Sequence, residues 1–261
     1  MKNVLYYHIY LTDNLGTWTS MFLEQLKIIE DANLFPSLDE IKLTCITQLD
    51  SRTEVLKRLC ETYPVNFEIE FVKNTYDNDT DMIGGLNTDR TITENYTYQK
   101  IYKDCQNEDM RICYVHSKGI TSALRLHVSD VQQFKNYFYW RQYLNWGVLE
   151  NWKVCVNALL DHDVAGVNYH EYPSRHFSGN FWWANSSYIR KLPDPATLDW
   201  WRNLQQNTND QWLKYASDRF RDEQWLCSLN DVKVYQVHKL NKSENPAANF
   251  LPRWRYENEV Y

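Results

Sequence analysis

Four consecutive residues, His116-Ser117-Lys118-Gly119, stand directly behind the β-branched and aromatic run Ile112-Cys113-Tyr114-Val115. The run reads as a buried strand and the tetrapeptide as the loop it feeds. Ligands of open α/β sheets collect outside the carboxyl ends of the strands. An imidazole, a hydroxyl, an ammonium and a permissive glycine there make an anion site, with Lys118 as the charge and His116 and Ser117 donating beside it. The plainer reading is a turn with a solvated lysine, and these four residues alone do not separate the two.

Acidic residues offer a second chemistry. Asp77-Asn78-Asp79 and Asp79-Thr80-Asp81 have D-x-D spacing after a strand, where carboxylates hold a divalent cation or meet a ribose, although such triplets also occur in plain acidic loops. A third group is His176, Ser178, Gly179 and Asn180, hydrogen-bonding residues that lead into Phe181-Trp182-Trp183. Strand alternation puts Trp182 and Trp183 on opposite faces, so at most one meets a ligand, and Trp182 is the choice. Arg141 interrupts an apolar helical pattern and needs a buried partner or an anion; a salt bridge is the expectation.

The elements that must position these groups follow from periodicity. Asn3 to Leu11 is a nearly continuous β-prone run, the pattern of a strand buried on both faces. A helix over Thr19 to Asp31, a strand over Ile41 to Thr47, a helix over Arg52 to Glu61 and a strand nearer an edge over Phe67 to Val72 complete a βαβαβ start. No G-x-G-x-x-G follows the first strand, so a dinucleotide is not implied. Further on, the pattern predicts a helix over Thr91 to Cys105 and a strand over Arg111 to Val115. A long helical pattern follows from Asp130, with Gly147 as its kink or break. Then come a strand over Val164 to Tyr169, a loop over 170–180, a strand over Phe181 to Ala184 and a short helix from Ser186 stopped by Pro193. A Trp-rich helical segment, another helix from Asp218 and a closing strand over Val232 to Val237 finish the order. In the tail from Asn241, Phe250, Trp254 and Tyr256 are the docking candidates.

Bulk composition narrows the function classes. Hydrophobic content of 43% and charge of 24% describe a globular chain with room for a core. The net charge of −6 gives no basic field for a polyanion, so nucleic acid is a poor partner. Aromatic content of 15% exceeds what a core needs and suits surfaces that grip ligands partly apolar and partly hydroxylated, such as sugars. The six cysteines form no C-x-x-C pair and several lie inside apolar runs, so they read as reduced core thiols of a cytoplasmic protein. No signal peptide or membrane span is legible.

The pieces YVHSKG, WRQYL, VAGVNY, HFSGNFWWANSSYIRKLP and RDEQW, in that order, resemble a group of GT-A-type glycosyltransferases with an H-[ST]-K-G loop and a G-N-F-W-W strand, associated with bacterial surface-glycan enzymes and large DNA viruses. The resemblance covers roughly Asn3 to His238, and its most specific piece is Gly179 to Trp183. It implies an α/β, GT-A-like fold built around one mixed, mainly parallel sheet, as a single domain over 1–261. Within it, about 1–125 would be the nucleotide-sugar half, about 126–240 the acceptor half and 241–261 a tail.

In functional terms the resemblance implies transfer of a sugar from a nucleoside diphosphate sugar, UDP-sugar favoured, to a glycan hydroxyl with inversion. Glu223 matches the general base of inverting members, with Asp222 as fallback. His8, Tyr10 and Thr12 lie where the nucleotide base is received, with His116, Ser117, Lys118, Gly119 and Asp81 on the donor side. His176, Ser178, Gly179, Asn180 and Trp182 lie on the acceptor side. This chain departs from the group at the metal motif, since His116-Ser117-Lys118 stands where D-x-D is common. No obligatory cofactor is therefore expected, and Mn²⁺ or Mg²⁺ held by Asp77, Asp79 and His238 is the alternative. A non-catalytic carbohydrate-binding protein and a metal-dependent nucleotidyltransferase are the rival readings.

Overall fold

The computed structural model describes residues 1–12, 14–47, 50–73, 94–118, 131–216, 220–240 and 250–258. Gly119 and the acids Asp77, Asp79 and Asp81 lie outside the described residues. The chain begins β1 (Lys2–Leu11), α1 (Leu15–Asp31), β2 (Glu40–Thr47), α2 (Asp50–Cys60) and β3 (Phe67–Lys73). It continues with α3 (Asn95–Asn107), β4 (Met110–His116) and α4 (Val131–Asn145), then a π-helical turn over Trp146–Glu150 and α5 (Trp152–Ala158). The second half holds β5 (Val164–Gly166), β6 (Tyr169–His170), β7 (His176–Phe177), β8 (Trp182–Asn185) and α6 (Ser186–Ile189). After these come α7 (Asp199–Gln206), α8 (Gln211–Tyr215), α9 (Arg221–Trp225) and β9 (Val234–Gln236).

The central sheet has seven strands in the order β3-β2-β1-β4-β8-β5-β9, and β6 and β7 form a separate hairpin. Among the described strands of the central sheet only β8 runs antiparallel to its neighbours β4 and β5; the other pairings are parallel. This is the mixed, mainly parallel α/β sheet that the resemblance implied, with β3 at its edge as its Glu alternation suggests.

Alternation along β1 divides the core. Leu5, Tyr7, Ile9 and Leu11 face α1, α2, the π-helical turn and α5, together with Cys113, Val115 and Trp183. Val4 and Tyr6 face α3, α6 and α9, together with Ile112, Tyr114 and Trp182. The two buried tyrosines in the middle of β1 have their hydroxyls paired. Tyr6 donates to Asp104 Oδ2 at 2.7 Å, and Lys42 reaches the same oxygen at 2.8 Å. Tyr7 donates to Gln25. All six cysteines are free and buried. Among the described residues no helix is long and apolar enough to cross a membrane.

Gly147 is where the long helical pattern breaks. A Cβ on it would stand 2.2 Å from Val167 Cγ1, so the turn approaches the sheet closely only because the side chain is missing. Elsewhere the second half differs from expectation. The run Val164 to Tyr169 is two strands, because Asn168 takes the left-handed region with φ 59° and turns the chain out of the sheet. The expected loop over 170–180 contains β7. The helix anticipated from Asp218 is the five-residue α9. In the tail, Tyr256 is fully buried against Tyr143 and Trp146, whereas Trp254 stays exposed.

Candidate functional site

The carboxyl ends of β1 and β4 and the amino end of β8 meet in one place, because β8 runs against β4 and His8 pairs in register with His116. Even-numbered residues of β1 and β4 face α3, so both imidazoles point to the same side of the sheet. His8 Nδ1 lies 2.9 Å from Thr97 Oγ1. His116 donates from Nε2 to the Gly179 carbonyl at 3.0 Å. That contact depends on two successive left-handed residues, Gly179 at φ 94° and Asn180 at φ 63°, which bend the chain as it enters β8.

Beneath His116 lies a carboxylate that the sequence did not single out. Glu94, immediately before α3, accepts at Oε2 from Tyr114 OH at 2.9 Å, Tyr98 OH at 3.3 Å and Asn180 Nδ2 at 2.5 Å. Asn180 also donates to the Tyr98 hydroxyl and accepts from Trp182 Nε1 at 3.1 Å. The other oxygen, Oε1, is 3.7 Å from His116 Nδ1. The only sequence signal for Glu94 is an acid at the start of a helical pattern, which is indistinguishable from a charge placed for the helix dipole.

Burial keeps both imidazoles neutral. Loss of solvation pushes His116 down to about 3, reinforced by the Lys118 ammonium and opposed by the bond to Gly179 and by Glu223. His8 is pushed down to about 4 by burial, with Glu94 opposing and His116 reinforcing the shift. Lys118 and Glu223 thus act on the same ring with opposite sign. The Lys118 amine sits 4.2 Å from the centre of the Trp140 ring, a cation–π contact. The Lys118 carbonyl accepts from Arg141 Nη1 at 3.1 Å, and Arg141 forms the anticipated salt bridge, with Nη2 3.0 Å from Glu24 Oε2.

The remaining assigned residues divide between the site and the framework. Ser117 Oγ accepts from the Tyr10 backbone at 3.2 Å, and Ser117 N donates to the His8 carbonyl at 3.0 Å, which extends the pairing of β1 with β4. Thr12 is buried and donates to the Asn14 carbonyl at 3.1 Å at the entry to α1. Asp222 is buried: Oδ1 accepts from Arg221 Nε at 3.2 Å and Nη2 at 3.1 Å, and Oδ2 accepts from the Asn95 backbone at 3.2 Å. These bonds tie α9 to the start of α3 and leave half-buried Glu223 as the more accessible acid of the pair. His176 donates from Nδ1 to Ser174 O at 2.8 Å and stacks on His170 in the β6–β7 hairpin, and Ser178 N donates to Asn168 O at 2.9 Å.

Two assignments are corrected. Trp182 is fully buried, stacked on Tyr114 at 5.1 Å, so it is core and not a ligand wall; Trp183 is buried too, on the opposite face. His238 is buried in an aromatic box, with Nδ1 3.1 Å from Tyr143 OH and its ring against the edge of Trp146, a structural setting. Among the described residues no three His, Cys, Asp or Glu side chains form a metal-binding group.

Residues 6–255 match the family described as a domain of unknown function, DUF8361. The chain belongs to this family. No curated protein matches it. Among the solved structures that match are two that superpose with low TM-scores. The 4-diphosphocytidyl-2C-methyl-D-erythritol synthase of Anaerococcus prevotii DSM 20548 is 12% identical, over 92% of this chain and 88% of that one, at a TM-score of 0.35. HddC from Yersinia pseudotuberculosis is 14% identical, over 75% and 81%, at a TM-score of 0.35. Both scores are too low to bear on fold or function.

Proposed function

We propose that this DUF8361 chain is a GT-A-like glycosyltransferase that moves a sugar from a nucleoside diphosphate sugar, UDP-sugar favoured, to a glycan hydroxyl with inversion. The observation that carries the reading is the setting of Lys118 at the carboxyl end of β4, its amine 4.2 Å from the centre of the Trp140 ring and its carbonyl on Arg141, with Glu223 acting electrostatically on the neighbouring His116. Glycosyl transfer asks for positive potential at the departing diphosphate and a base at the acceptor hydroxyl, each a few ångströms from the anomeric carbon. Glu223 takes the proton of the acceptor hydroxyl as its oxygen bonds to the anomeric carbon. The bond from that carbon to the diphosphate breaks, and the charge that develops on the leaving oxygen is met by Lys118. Trp140 beneath the amine and Arg141 on the Lys118 carbonyl hold the cation in place.

The test has two parts. A thermal-shift screen against UDP-, GDP-, dTDP- and CMP-sugars, each with Mn²⁺ and with EDTA, identifies the donor by mass action. Glu223→Gln then retains donor binding and loses transfer, by about 100-fold or more for removal of a general base. Full activity in that variant removes Glu223 from the role. A preference for nucleoside triphosphates with release of pyrophosphate turns the assignment to nucleotidyl transfer.

A further inference from the structure

The Glu94–His116 pair is an unusual arrangement of two acceptors. His116 spends its Nε2 proton on the Gly179 carbonyl, 3.0 Å away, so the neutral ring presents a bare lone pair at Nδ1. That lone pair faces Glu94 Oε1 across 3.7 Å, with no proton to share. The opposite oxygen of Glu94 is already engaged by Tyr98, Tyr114 and Asn180, which fix the carboxylate and leave Oε1 as its open acceptor site. Two acceptors facing each other at the edge of a buried network repel unless donors are brought to them. The Glu94 side chain keeps 25% of its surface exposed against 9% for His116, so the pair meets solvent chiefly through the carboxylate.

From this geometry we infer that Glu94 Oε1 and His116 Nδ1 together receive two neighbouring hydroxyls, a vicinal diol of the nucleotide-sugar donor. The inference rests on the glycosyltransferase reading and deepens it by assigning the donor's hydroxyls to named acceptors. Each hydroxyl donates to one acceptor, and the spacing of the two atoms suits a diol better than a lone hydroxyl. A cation between the same atoms is the competing occupant. It is disfavoured by the Lys118 ammonium acting on the same ring and by the lack of a third ligand among the described residues. Two diols fit the chemistry, that of the transferred sugar and that of the ribose, and both are present in the donor.

Isothermal titration of the whole chain in EDTA with UDP-glucose, GDP-mannose, UDP and GDP, repeated on Glu94→Gln, separates these cases. Loss of the carboxylate should weaken the diol-bearing ligand by roughly 10- to 100-fold, the range for a hydrogen bond to a charged group. A loss confined to the sugar nucleotide assigns the pair to the transferred sugar; an equal loss for the bare nucleotide assigns it to the ribose. Tyr114→Phe controls for folding. It removes one support of Glu94 and keeps the carboxylate, so it should share the stability loss of Glu94→Gln while losing much less affinity. Unchanged affinities in Glu94→Gln overturn the inference and leave the glycosyltransferase reading standing. Wild-type binding that appears only with Mn²⁺ and loses that dependence in Glu94→Gln gives the pair to a cation and also overturns it. No binding of any probe by the wild type, with or without Mn²⁺, removes the underlying reading as well.

Discussion

Arg141 and Lys118 are joined by a single hydrogen bond, Nη1 to the Lys118 carbonyl at 3.1 Å, while the remaining guanidinium nitrogens hold Glu24 at 3.0 to 3.4 Å. One buried fork therefore anchors α4 to α1 and fixes the backbone of the residue assigned to the diphosphate. Arg141→Ala leaves Glu24 with Gln142 as a donor and deprives the Lys118 carbonyl of its bond from the guanidinium. Breaking a largely buried pair of this kind costs about 3 kcal/mol. Arg141→Lys keeps the charge and loses the fork, so it should recover only part of that in urea unfolding. Both variants should weaken diphosphate binding. Wild-type stability in Arg141→Lys would show that charge alone suffices.

Gly147 gives a packing prediction with an internal rescue. Alanine there drives a methyl to within 2.2 Å of Val167 Cγ1, and overpacking a tight contact costs about 1–3 kcal/mol. Val167→Ala opens the space, so the double variant Gly147→Ala/Val167→Ala should be more stable than the sum of the single effects implies, a coupling visible in a double-mutant cycle. Strict additivity would mean that the turn relaxes by moving away from the sheet.

Trp182 separates a core role from a ligand role. Trp182→Ala should cost about 3–5 kcal/mol as a fully buried aromatic. Trp182→Phe retains most of the packing and removes the Nε1 bond to Asn180 Oδ1, at about 1 kcal/mol. Chemical denaturation of the two variants gives both figures. A phenylalanine variant with unaltered stability and altered sugar affinity would return Trp182 to the ligand.

The strands were legible in the sequence where a residue's surroundings are local. Alternation in Phe67 to Val72 marked the edge, continuous apolarity in Asn3 to Leu11 marked the centre, and Gly147 marked the break in the helix. The end of β4 was legible to within one residue, expected at Val115 and found at His116, which therefore belongs to the strand and not to the loop. What escaped detection depends on partners far along the chain. Glu94 is defined by Tyr114 and Asn180, 20 and 86 residues away. Nothing in its neighbours distinguishes it from a helix-start acid. The two tryptophans were correctly split between faces by alternation, yet the sheet is covered on both faces, so neither reaches a ligand. His238 was placed by analogy with a strand end, and the aromatic box that claims it is assembled from α4, the π-helical turn and the tail. The left-handed Asn168 that divides the run Val164 to Tyr169 leaves no mark in hydrophobic pattern.

His8 and His116 set the acid limb of the stability curve. Each is pushed below its ordinary value near 6.5 by burial, to about 4 and about 3, so the native state holds both rings neutral where the unfolded chain protonates them. The unfolded state therefore binds more protons below about pH 6.5, and stability rises with pH through that window. The contribution is complete above about pH 6.5 and is lost progressively as pH falls toward the native values. Each ring adds a slope of up to about 1.4 kcal/mol per pH unit. Carboxylate protonation overlaps below about pH 5. The informative interval is therefore pH 6.5 to 5.5, read by urea unfolding at closely spaced pH. His8→Gln and His116→Gln should each flatten the slope there whatever they do to stability at pH 7.5, since glutamine does not titrate, and the comparison isolates these rings from the other histidines. A slope left unchanged by both substitutions would mean that the imidazoles gain solvent or a proton acceptor in solution and are not held neutral.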